Sequence, residues 1–185
     1  MSCPSNTTSN SPVNAPVMAF VGLGSNLDSR YGSPRDTVQA AMTRIATWSA
    51  QPLHRSSLWQ TDPIDCPPGS PQFINAVVGL VPAVDESPHS LLERLLALEQ
   101  QFGRRRSGTV NAARSLDLDL ISFGARTVAD VKLRLPHPEA HRRGFVLLPL
   151  AEIAPDLRLA GQSRTVAELV AALPDSGPLV VKIDS

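Results

Sequence analysis

Apolar residues recur along this chain with two spacings, and these spacings predict where strands and helices lie. Short continuous or alternating apolar runs indicate strands, whereas apolar residues three or four positions apart indicate the buried face of a helix. One helical face lies between residues 38 and 45, and a leucine-rich one lies between residues 91 and 98. The elements predicted up to residue 123 are a strand at 17–23, a helix from Ser33, a strand at 53–60, a strand at 72–81, a helix from Ser87 to Gly103 and a strand at about 115–123.

The order of these six elements predicts the fold class. The order β-α-β-β-α-β is the ferredoxin-like arrangement, in which helices pack on one face of an antiparallel sheet. The predicted class is therefore α+β, with a ferredoxin-like βαββαβ core. The C-terminal additions are a loop around Pro136, a short helix near 144–152, a helix from Thr165 and a strand near 179–183.

The distribution of polar residues predicts the domain organisation. Residues 1–16 are rich in Ser, Thr, Asn and Pro, a composition that predicts a disordered leader. We find no internal repeat and no linker in the remainder. Residues 17–185 are therefore predicted to form a single domain.

Composition narrows the classes of function. The formal net charge is zero, which argues against a nucleic-acid binder held by a broad basic field. No apolar run approaches the ~20 residues of a membrane span, and the first residues lack the pattern of a secretory signal. Cys3 and Cys66 are too few for a disulfide framework, so we expect a cytoplasmic protein.

The most informative segment is the predicted strand that reads R-S-L-D-L-D-L from residue 114. Because successive side chains of a strand point to opposite faces, the leucines can enter a core while Asp117 and Asp119 emerge on the other face, roughly 6.6 Å apart at Cα. Two carboxylates held side by side repel each other, so a cation should compensate them, and Mg²⁺ is the natural candidate. The alternative for an isolated D-x-D is an edge strand with a polar face.

Arginines lie at both ends of the loop that precedes this strand. Arg104, Arg105 and Arg106 follow the second helix, and Arg114 comes just before the acidic pair. Since the guanidinium group binds phosphate oxygens with two parallel hydrogen bonds, the acid pair and the arginines together predict metal-assisted phosphoryl chemistry. The loop between them is predicted to be a mobile lid over a substrate. A solvated charge run is the alternative.

Gly22-x-Gly24 follows the first strand in the manner of a dinucleotide-binding loop. The third glycine of G-x-G-x-x-G would fall at position 27, which is Leu27, so the fingerprint fails. A tight turn is the favoured interpretation, and nucleotide phosphate binding is the alternative. No G-K-[ST] occurs in the chain, which argues against a Walker loop.

Two histidines lie four residues apart in H-P-E-A-H, at His137 and His141. Pro138 disfavours helical geometry at His137, so a zinc site of the H-E-x-x-H kind is not expected. Contact of His137 with a ligand phosphate or base is the better functional prediction. A solvated loop histidine is the alternative.

Phe73 and Asn75 share one face of the predicted strand at 72–81. An aromatic ring can stack on a flat heterocycle, and an amide can hydrogen-bond its donors and acceptors. This pair therefore predicts a heterocycle site. The alternative is a core phenylalanine beside a polar strand residue.

These motifs occur together in an order that resembles one enzyme family. The segments are V-G-L-G-S-N-L, T-D-P-I, Q-F-I-N-A-V-V, F-G-R-R-R, R-S-L-D-L-D-L-I-S-F-G and L-P-H-P-E-A-H-R-R-G-F-V-L-L-P-L-A-E-I-A-P. Between residues 17 and 160 they resemble the 6-hydroxymethyl-7,8-dihydropterin pyrophosphokinase (HPPK) family of folate biosynthesis. No single motif decides the match, but the last two segments are highly specific as a pair.

The resemblance implies a ferredoxin-like core with added elements and a reaction with two small-molecule substrates. The terminal pyrophosphate of ATP would pass to the hydroxymethyl oxygen of 6-hydroxymethyl-7,8-dihydropterin, releasing AMP. The resemblance also implies two Mg²⁺ ions, held by Asp117 and Asp119, that bridge the phosphates of ATP. We expect a monomer without nucleic-acid or membrane partners.

The resemblance further implies which side chains meet each substrate. Arg104 and Arg114 would contact phosphates and stabilise the transferring charge, so these two arginines join Asp117 and Asp119 as the catalytic set. The ATP site would consist of Glu99, Arg104, Arg114, His137 and Arg143. The pterin site would consist of Thr61, Asp62, Ile64, Phe73, Asn75 and Phe145, with the pterin between the two phenylalanine rings.

Two positions depart from the family pattern. Many members have Trp-Gly-Pro before the arginine of the acidic strand, where this chain has Asn111-Ala112-Ala113. The position after the histidine is often Tyr and is Pro138 here. Lid closure and ligand affinity are where we expect this chain to differ from its relatives.

Two rival classes of function stay open on the sequence alone. One is a different Mg-dependent transferase, such as a nucleotidyl, phosphoryl or glycosyl transferase that uses its D-x-D. The other is a ferredoxin-like nucleic-acid-binding module, which the zero net charge and the 4% aromatic content disfavour.

Overall fold

The computed structural model describes residues 16–63, 66–104, 113–174, 177 and 179–183. A 3₁₀ turn at Ala140–Arg142 precedes the third helix. In chain order the strands and helices are β1 (Ala19–Ser25), α1 (Pro34–Ala46), β2 (His54–Arg55), β3 (Leu58–Thr61), β4 (Phe73–Leu80), α2 (Pro88–Gln101), β5 (Asp117–Phe123), β6 (Val128–Ala129), β7 (Arg134–Leu135), α3 (Gly144–Ile153), α4 (Val166–Ala171) and β8 (Val180–Ile183).

One sheet organises the molecule. Its strands are neighbours in the order β5-β1-β4-β3-β8, and β2 pairs with β4 beside β3. Every pairing in this sheet is antiparallel. The predicted α+β class and the ferredoxin-like βαββαβ core are therefore confirmed. β6 and β7 form a separate two-stranded hairpin.

Side-chain caps explain where the helices begin. The Ser33 hydroxyl accepts a hydrogen bond from the Asp36 N–H, and the Asp36 carboxylate accepts one from the Ser33 N–H, which completes a capping box on α1. Thr165 and Glu168 make the same reciprocal pair on α4. The Ser87 hydroxyl caps α2. None of the helices in the described ranges has the length and apolar composition that a membrane crossing needs.

The sheet carries a hydrophobic core on each face. α1 and α2 pack on one face, where Ile45, Leu91 and Leu95 are fully buried. α3 and α4 cover part of the other face with Leu147 and Leu150. Since β4 is buried on both faces, it has the continuous apolar sequence that the alternation rule alone would not predict. The predicted C-terminal additions thus complete the second layer of helices.

The strand predicted at 53–60 is interrupted in the structure. It forms β2 and β3, which are separated at Ser56, because the Ser56 hydroxyl takes the place of a backbone acceptor for the Val77 N–H at 2.9 Å. β3 also runs one residue further than expected and includes Thr61. Thr61 therefore lies on the strand itself and not in the connection that follows it.

The C-terminal strand β8 supports two parts of the molecule. It pairs with β3. A hydrogen bond from the Asp62 N–H to the Leu179 carbonyl at 3.2 Å extends this pairing beyond the two strands. Lys182 forms a 2.6 Å ion pair with Glu152 of α3. β8 thus connects the end of β3 to helix α3.

Candidate active site

The acidic strand β5 has the alternation that its sequence predicts. Leu116, Leu118 and Leu120 are at most 3% exposed and lie in the core beneath α1 and α2. Asp117 and Asp119 point to the opposite face and line a cavity of about 800 Å³. The predicted division of leucines and carboxylates between two faces is confirmed. An edge strand that is polar only because it faces solvent would not form the wall of a cavity.

Two glycines of the neighbouring strand lie directly opposite the carboxylates. In the β1–β5 pairing, Gly22 is the partner of Asp119 and Gly24 is the partner of Asp117. Both glycines are inside β1, so the favoured interpretation as a tight turn is wrong. Both glycines line the cavity, where the absence of side chains leaves room beside the acidic pair.

Asp117 is the meeting point of both predicted arginines. The Arg104 Nη1 donates to Asp117 Oδ1 at 2.6 Å, and the Arg114 Nη1 donates to Asp117 Oδ2 at 2.9 Å. These side chains are about one-fifth exposed, so they are reachable from the cavity. The structure thus brings one carboxylate and two guanidinium groups from the two ends of the arginine loop to one place.

Glu99 ties the same arginine to the hydrophobic core. Its side chain is 2% exposed, accepts the Leu118 N–H at 2.8 Å and forms an ion pair with Arg104. Burial raises the pKa of the Glu99 carboxyl from 4.5 to about 7, although the Leu118 N–H and the Arg104 charge oppose that rise. Glu99 therefore holds Arg104 from the core side, while Asp117 binds the same guanidinium group.

Asp119 differs from Asp117 in its electrostatic surroundings. None of the ion pairs between described side chains includes Asp119. Burial and the nearby charge of Asp117 raise the pKa of the Asp119 carboxyl, and His137, Arg143 and Arg104 only partly oppose this. A cation bound at Asp119 would offset both influences that raise this pKa.

An aromatic and amide wall lies across the cavity from the acidic strand. Phe73, Asn75 and Thr61 line it from β4 and β3, and Phe145 lines it from the first turn of α3. The Asn75 Nδ2 donates to the Thr61 hydroxyl at 2.7 Å, which fixes the orientation of the amide. A Cβ atom on Gly24 would lie 3.0 Å from Asn75 Oδ1, so the glycine also allows this close approach.

His137 and Arg143 lie between the acidic strand and α3. The His137 N–H donates to the Ile121 carbonyl at 2.8 Å, which anchors the loop to β5. The Glu139 N–H donates to His137 Nδ1 at 3.2 Å, so the neutral imidazole carries its proton on Nε2. Arg143 stands over the Phe145 ring, 5.6 Å from its centre. Of the two histidines in H-P-E-A-H, His137 lines the large cavity and His141 does not.

Most of the predicted site residues share the large cavity. Those that line it are Thr61, Asp62, Phe73, Asn75, Arg104, Arg114, Asp117, Asp119, His137, Arg143 and Phe145. Glu99 instead lines an adjoining cavity of about 300 Å³. Ile64, the departure at Asn111 and the predicted lid over residues 105–112 lie outside the described residues.

The adjoining cavity contains residues that the sequence reasoning missed. Lys132, Leu133 and Arg134 from the β6–β7 hairpin line it opposite Leu92 and Leu96 of α2. Basic and apolar residues alternate from Lys132 to Leu135, and this alternation is the sequence pattern that indicates the strand β7. This alternation covers too few residues to predict a strand, because periodicity is not informative for strands of two residues.

The sequence matches one protein family over most of its length. Residues 20–155 match the family described as 7,8-dihydro-6-hydroxymethylpterin-pyrophosphokinase (HPPK). A Synechocystis sp. protein named 2-amino-4-hydroxy-6-hydroxymethyldihydropteridine pyrophosphokinase is 41% identical over 152 residues, which cover 82% of this chain and 74% of that protein. A Pseudomonas aeruginosa protein of the same name is 38% identical over 85% of this chain and 93% of its own.

Solved structures share the fold at much lower sequence identity. A Plasmodium falciparum HPPK-DHPS triple mutant aligns with a TM-score of 0.66 at 14% identity, over 88% of this chain and 44% of that one. An HPPK-DHPS structure in complex with substrates aligns with a TM-score of 0.66 at 11% identity, over 85% and 44%. This chain thus spans less than half of those longer chains, and the likeness concerns the fold alone.

Proposed function

Because this chain belongs to the 7,8-dihydro-6-hydroxymethylpterin-pyrophosphokinase family, we infer that the cavity of about 800 Å³ is its active site. The chain uses ATP as co-substrate and transfers its pyrophosphate to the hydroxymethyl group of 6-hydroxymethyl-7,8-dihydropterin, giving AMP and the pterin diphosphate in folate biosynthesis. The observation that carries the site assignment is the pair of carboxylates on β5, which face an aromatic and amide wall across one cavity.

We propose that Asp117 and Asp119 hold two Mg²⁺ ions. The raised pKa of Asp119 supports this, because burial and the charge of Asp117 disfavour its ionised form and a bound cation would offset both. Within the described ranges no cluster of three or more His, Cys, Asp or Glu side chains forms a complete cage. Two carboxylates suit Mg²⁺, which completes its shell with substrate phosphates and water. When bound, the ions would supply charge neutralisation at the phosphates of ATP.

The arginines are proposed to align and stabilise the transferring group. The reaction needs no protein nucleophile, since the pterin hydroxyl attacks the β-phosphorus of ATP. Alignment and charge neutralisation then account for the rate enhancement. Arg104 and Arg114 are already directed at one point by Asp117. A phosphate that arrives there would take over N–H groups that now bind Asp117.

The remaining ATP contacts are proposed to come from His137, Arg143 and the surroundings of Glu99. The His137 Nε2–H is available as a donor because Nδ1 accepts a backbone N–H. Arg143 adds a positive charge at the start of α3. Glu99 is proposed to line the nucleotide site without itself meeting a phosphate, since it is an anion whose Oε1 already accepts from Arg104 and from the Leu118 N–H.

The pterin is proposed to lie between Phe73 and Phe145. Ring stacking would hold the flat heterocycle, and the oriented amide of Asn75 would hydrogen-bond its edge. Only one N–H of Asn75 is committed to Thr61, which leaves its second N–H and its Oδ1 for the ligand. Thr61 and Asp62 complete the wall at the end of β3.

Replacement of Asn75 by Ala is expected to weaken pterin binding by about 10- to 100-fold, which corresponds to one or two lost hydrogen bonds in a buried site. The affinity for ATP should change little, since Asn75 lies on the opposite wall from the arginines. Equilibrium titration of each ligand checks both values. Gln60→Ala is the matched control, because Gln60 lies on the neighbouring strand but does not line the cavity. Equal weakening in both variants would contradict the assignment.

The assay that tests the function measures AMP release from ATP with and without 6-hydroxymethyl-7,8-dihydropterin. We expect AMP and pterin diphosphate in equal amounts, and no AMP when pterin or Mg²⁺ is omitted. A different nucleotidyl, phosphoryl or glycosyl transferase would release AMP without pterin or release none. Salt-dependent RNA binding in the absence of turnover would instead favour a nucleic-acid-binding module.

Several expectations from the sequence stay predictions. They are the single catalytic domain at 17–185, the disordered leader at 1–16, the monomeric state, the absence of nucleic-acid partners and the cytoplasmic location. Sedimentation of the full chain at two concentrations would test the monomer.

A further inference from the structure

A buried asparagine joins the base of the arginine loop to the strand beside it. Asn26 follows β1 directly and is 3% exposed. Its backbone N–H donates to the Arg114 carbonyl at 3.2 Å, and its side-chain Oδ1 accepts the Arg114 N–H at 2.8 Å. Both polar groups of the Arg114 backbone are therefore held by one residue that is distant in sequence.

The same side chain reaches a third segment. The Asn26 Nδ2 donates to the Pro71 carbonyl at 3.3 Å, two residues before Phe73 of the aromatic wall. The preceding residue strengthens the connection, since the buried Ser25 hydroxyl donates to the Ser115 carbonyl at 2.7 Å. Asn26 thus links the loop after β1, the start of the acidic strand and the start of the pterin wall.

The chemistry of this position requires an amide. Oδ1 must accept from a backbone N–H while Nδ2 donates to a backbone carbonyl. An aspartate keeps the acceptor and loses the donor, and an alanine loses both. Both substitutions keep the Cβ atom of this residue, so what they change is its hydrogen bonding.

We propose that Asn26 is a positioning residue that acts on the reaction through Arg114. This inference rests on the phosphate-binding role proposed for Arg114. The Arg114 side chain leaves a backbone that Asn26 holds from both sides and ends on Asp117 at 2.9 Å. If that backbone shifts, the guanidinium group moves relative to the acidic pair, and misplacement by about 1 Å can slow a reaction by about 100-fold.

The experiment is a double-mutant cycle on the single-turnover rate, with enzyme saturated by ATP, Mg²⁺ and pterin. Asn26→Ala is expected to slow the chemical step by about 10- to 100-fold and to change the KM for pterin by less than about threefold. Asn26→Asp should slow it less, because one of the two side-chain hydrogen bonds survives. In the Arg114→Ala background, Asn26→Ala should have almost no further effect, since its target is already absent.

The outcomes separate this inference from the proposed function. If both single variants slow the reaction and their effects multiply in the double variant, Asn26 does not act through Arg114 and the inference is overturned. If Arg114→Ala leaves the rate unchanged, the proposed role of Arg114 fails and the inference fails with it. Ser29→Ala is the control, because Ser29 lies in the same loop but its hydroxyl bonds to Thr37 and Tyr31 and not to the Arg114 segment. Its rate should equal that of the unmodified enzyme.

Discussion

Asp119→Asn is expected to lower kcat by about 10³-fold or more, an effect of the size seen when a main electrostatic stabiliser is lost. The same substitution should leave the melting temperature without Mg²⁺ unchanged or slightly higher. The amide has nearly the same shape as the carboxylate, so packing on the cavity floor is conserved. It cannot supply the negative charge that a divalent cation requires.

The stability part of this prediction follows from the pKa of Asp119. Burial and the charge of Asp117 raise this pKa, so the folded state disfavours the ionised carboxylate. A group with a raised pKa stabilises the folded state at low pH, and this contribution is lost as the pH rises through the folded value. At neutral pH without metal, replacement of the Asp119 carboxylate by an amide therefore removes an unfavourable contribution to the stability of the folded state.

Stopped-flow turnover and thermal unfolding, each with and without Mg²⁺, measure both parts. Mg²⁺ should raise the melting temperature of the parent enzyme with ATP more than that of Asp119→Asn. Asp85→Asn is the matched control, since it makes the same chemical change on an exposed turn. Normal turnover of Asp119→Asn at saturating Mg²⁺ would refute the metal assignment, and a collapsed melting temperature would mean that Asp119 is structural.

Arg104→Ala is expected to produce two separable defects, one in chemistry and one in stability. The single-turnover rate should fall by about 100- to 1,000-fold, because a charge that faces the transferring phosphates is removed. Pterin affinity should change far less, since the aromatic and amide wall is intact. The second defect arises at Glu99, which loses the cation that compensates its buried carboxylate.

The stability defect should depend on pH with a definite sign. The pKa of Glu99 is already about 7 because of burial, and removal of Arg104 takes away one influence that lowers it. The folded variant will therefore bind a proton more readily than the unfolded chain. Its free energy of unfolding should fall as the pH rises above the ordinary carboxyl value of 4.5, and it should keep falling above about 7, where that of the parent levels off. The slope is at most about 1.4 kcal/mol per pH unit for one carboxyl group.

Glu99→Gln separates the two defects. Glutamine keeps an acceptor for the Leu118 N–H but carries no charge. The Arg104→Ala/Glu99→Gln double variant should regain a pH-independent stability between pH 7 and 9, yet its single-turnover rate should stay low. Urea unfolding across that pH range and rapid-quench kinetics provide the two measurements. Recovery of the rate in the double variant would show that Arg104 serves only to neutralise Glu99.

The sequence by itself determined the local elements and the chemistry of β5. The period-two alternation of leucine and aspartate predicted both faces of the strand, and the capping residues predicted where α1 and α4 begin. The order of helices and strands predicted the ferredoxin-like core, because short connections leave few arrangements for six elements. The order of the motifs then indicated the family, whose membership the comparisons establish.

Only the tertiary structure decided which side chains act together. The sequence favoured a tight turn at Gly22 and Gly24, but the pairing of β1 with β5 places both glycines opposite the acidic pair. Asn26 binds the backbone of Arg114 across 88 positions of sequence. Such contacts depend on which strands become neighbours and in which register. Local periodicity carries no information on either, so the positioning of the arginines could be learned only from the folded chain.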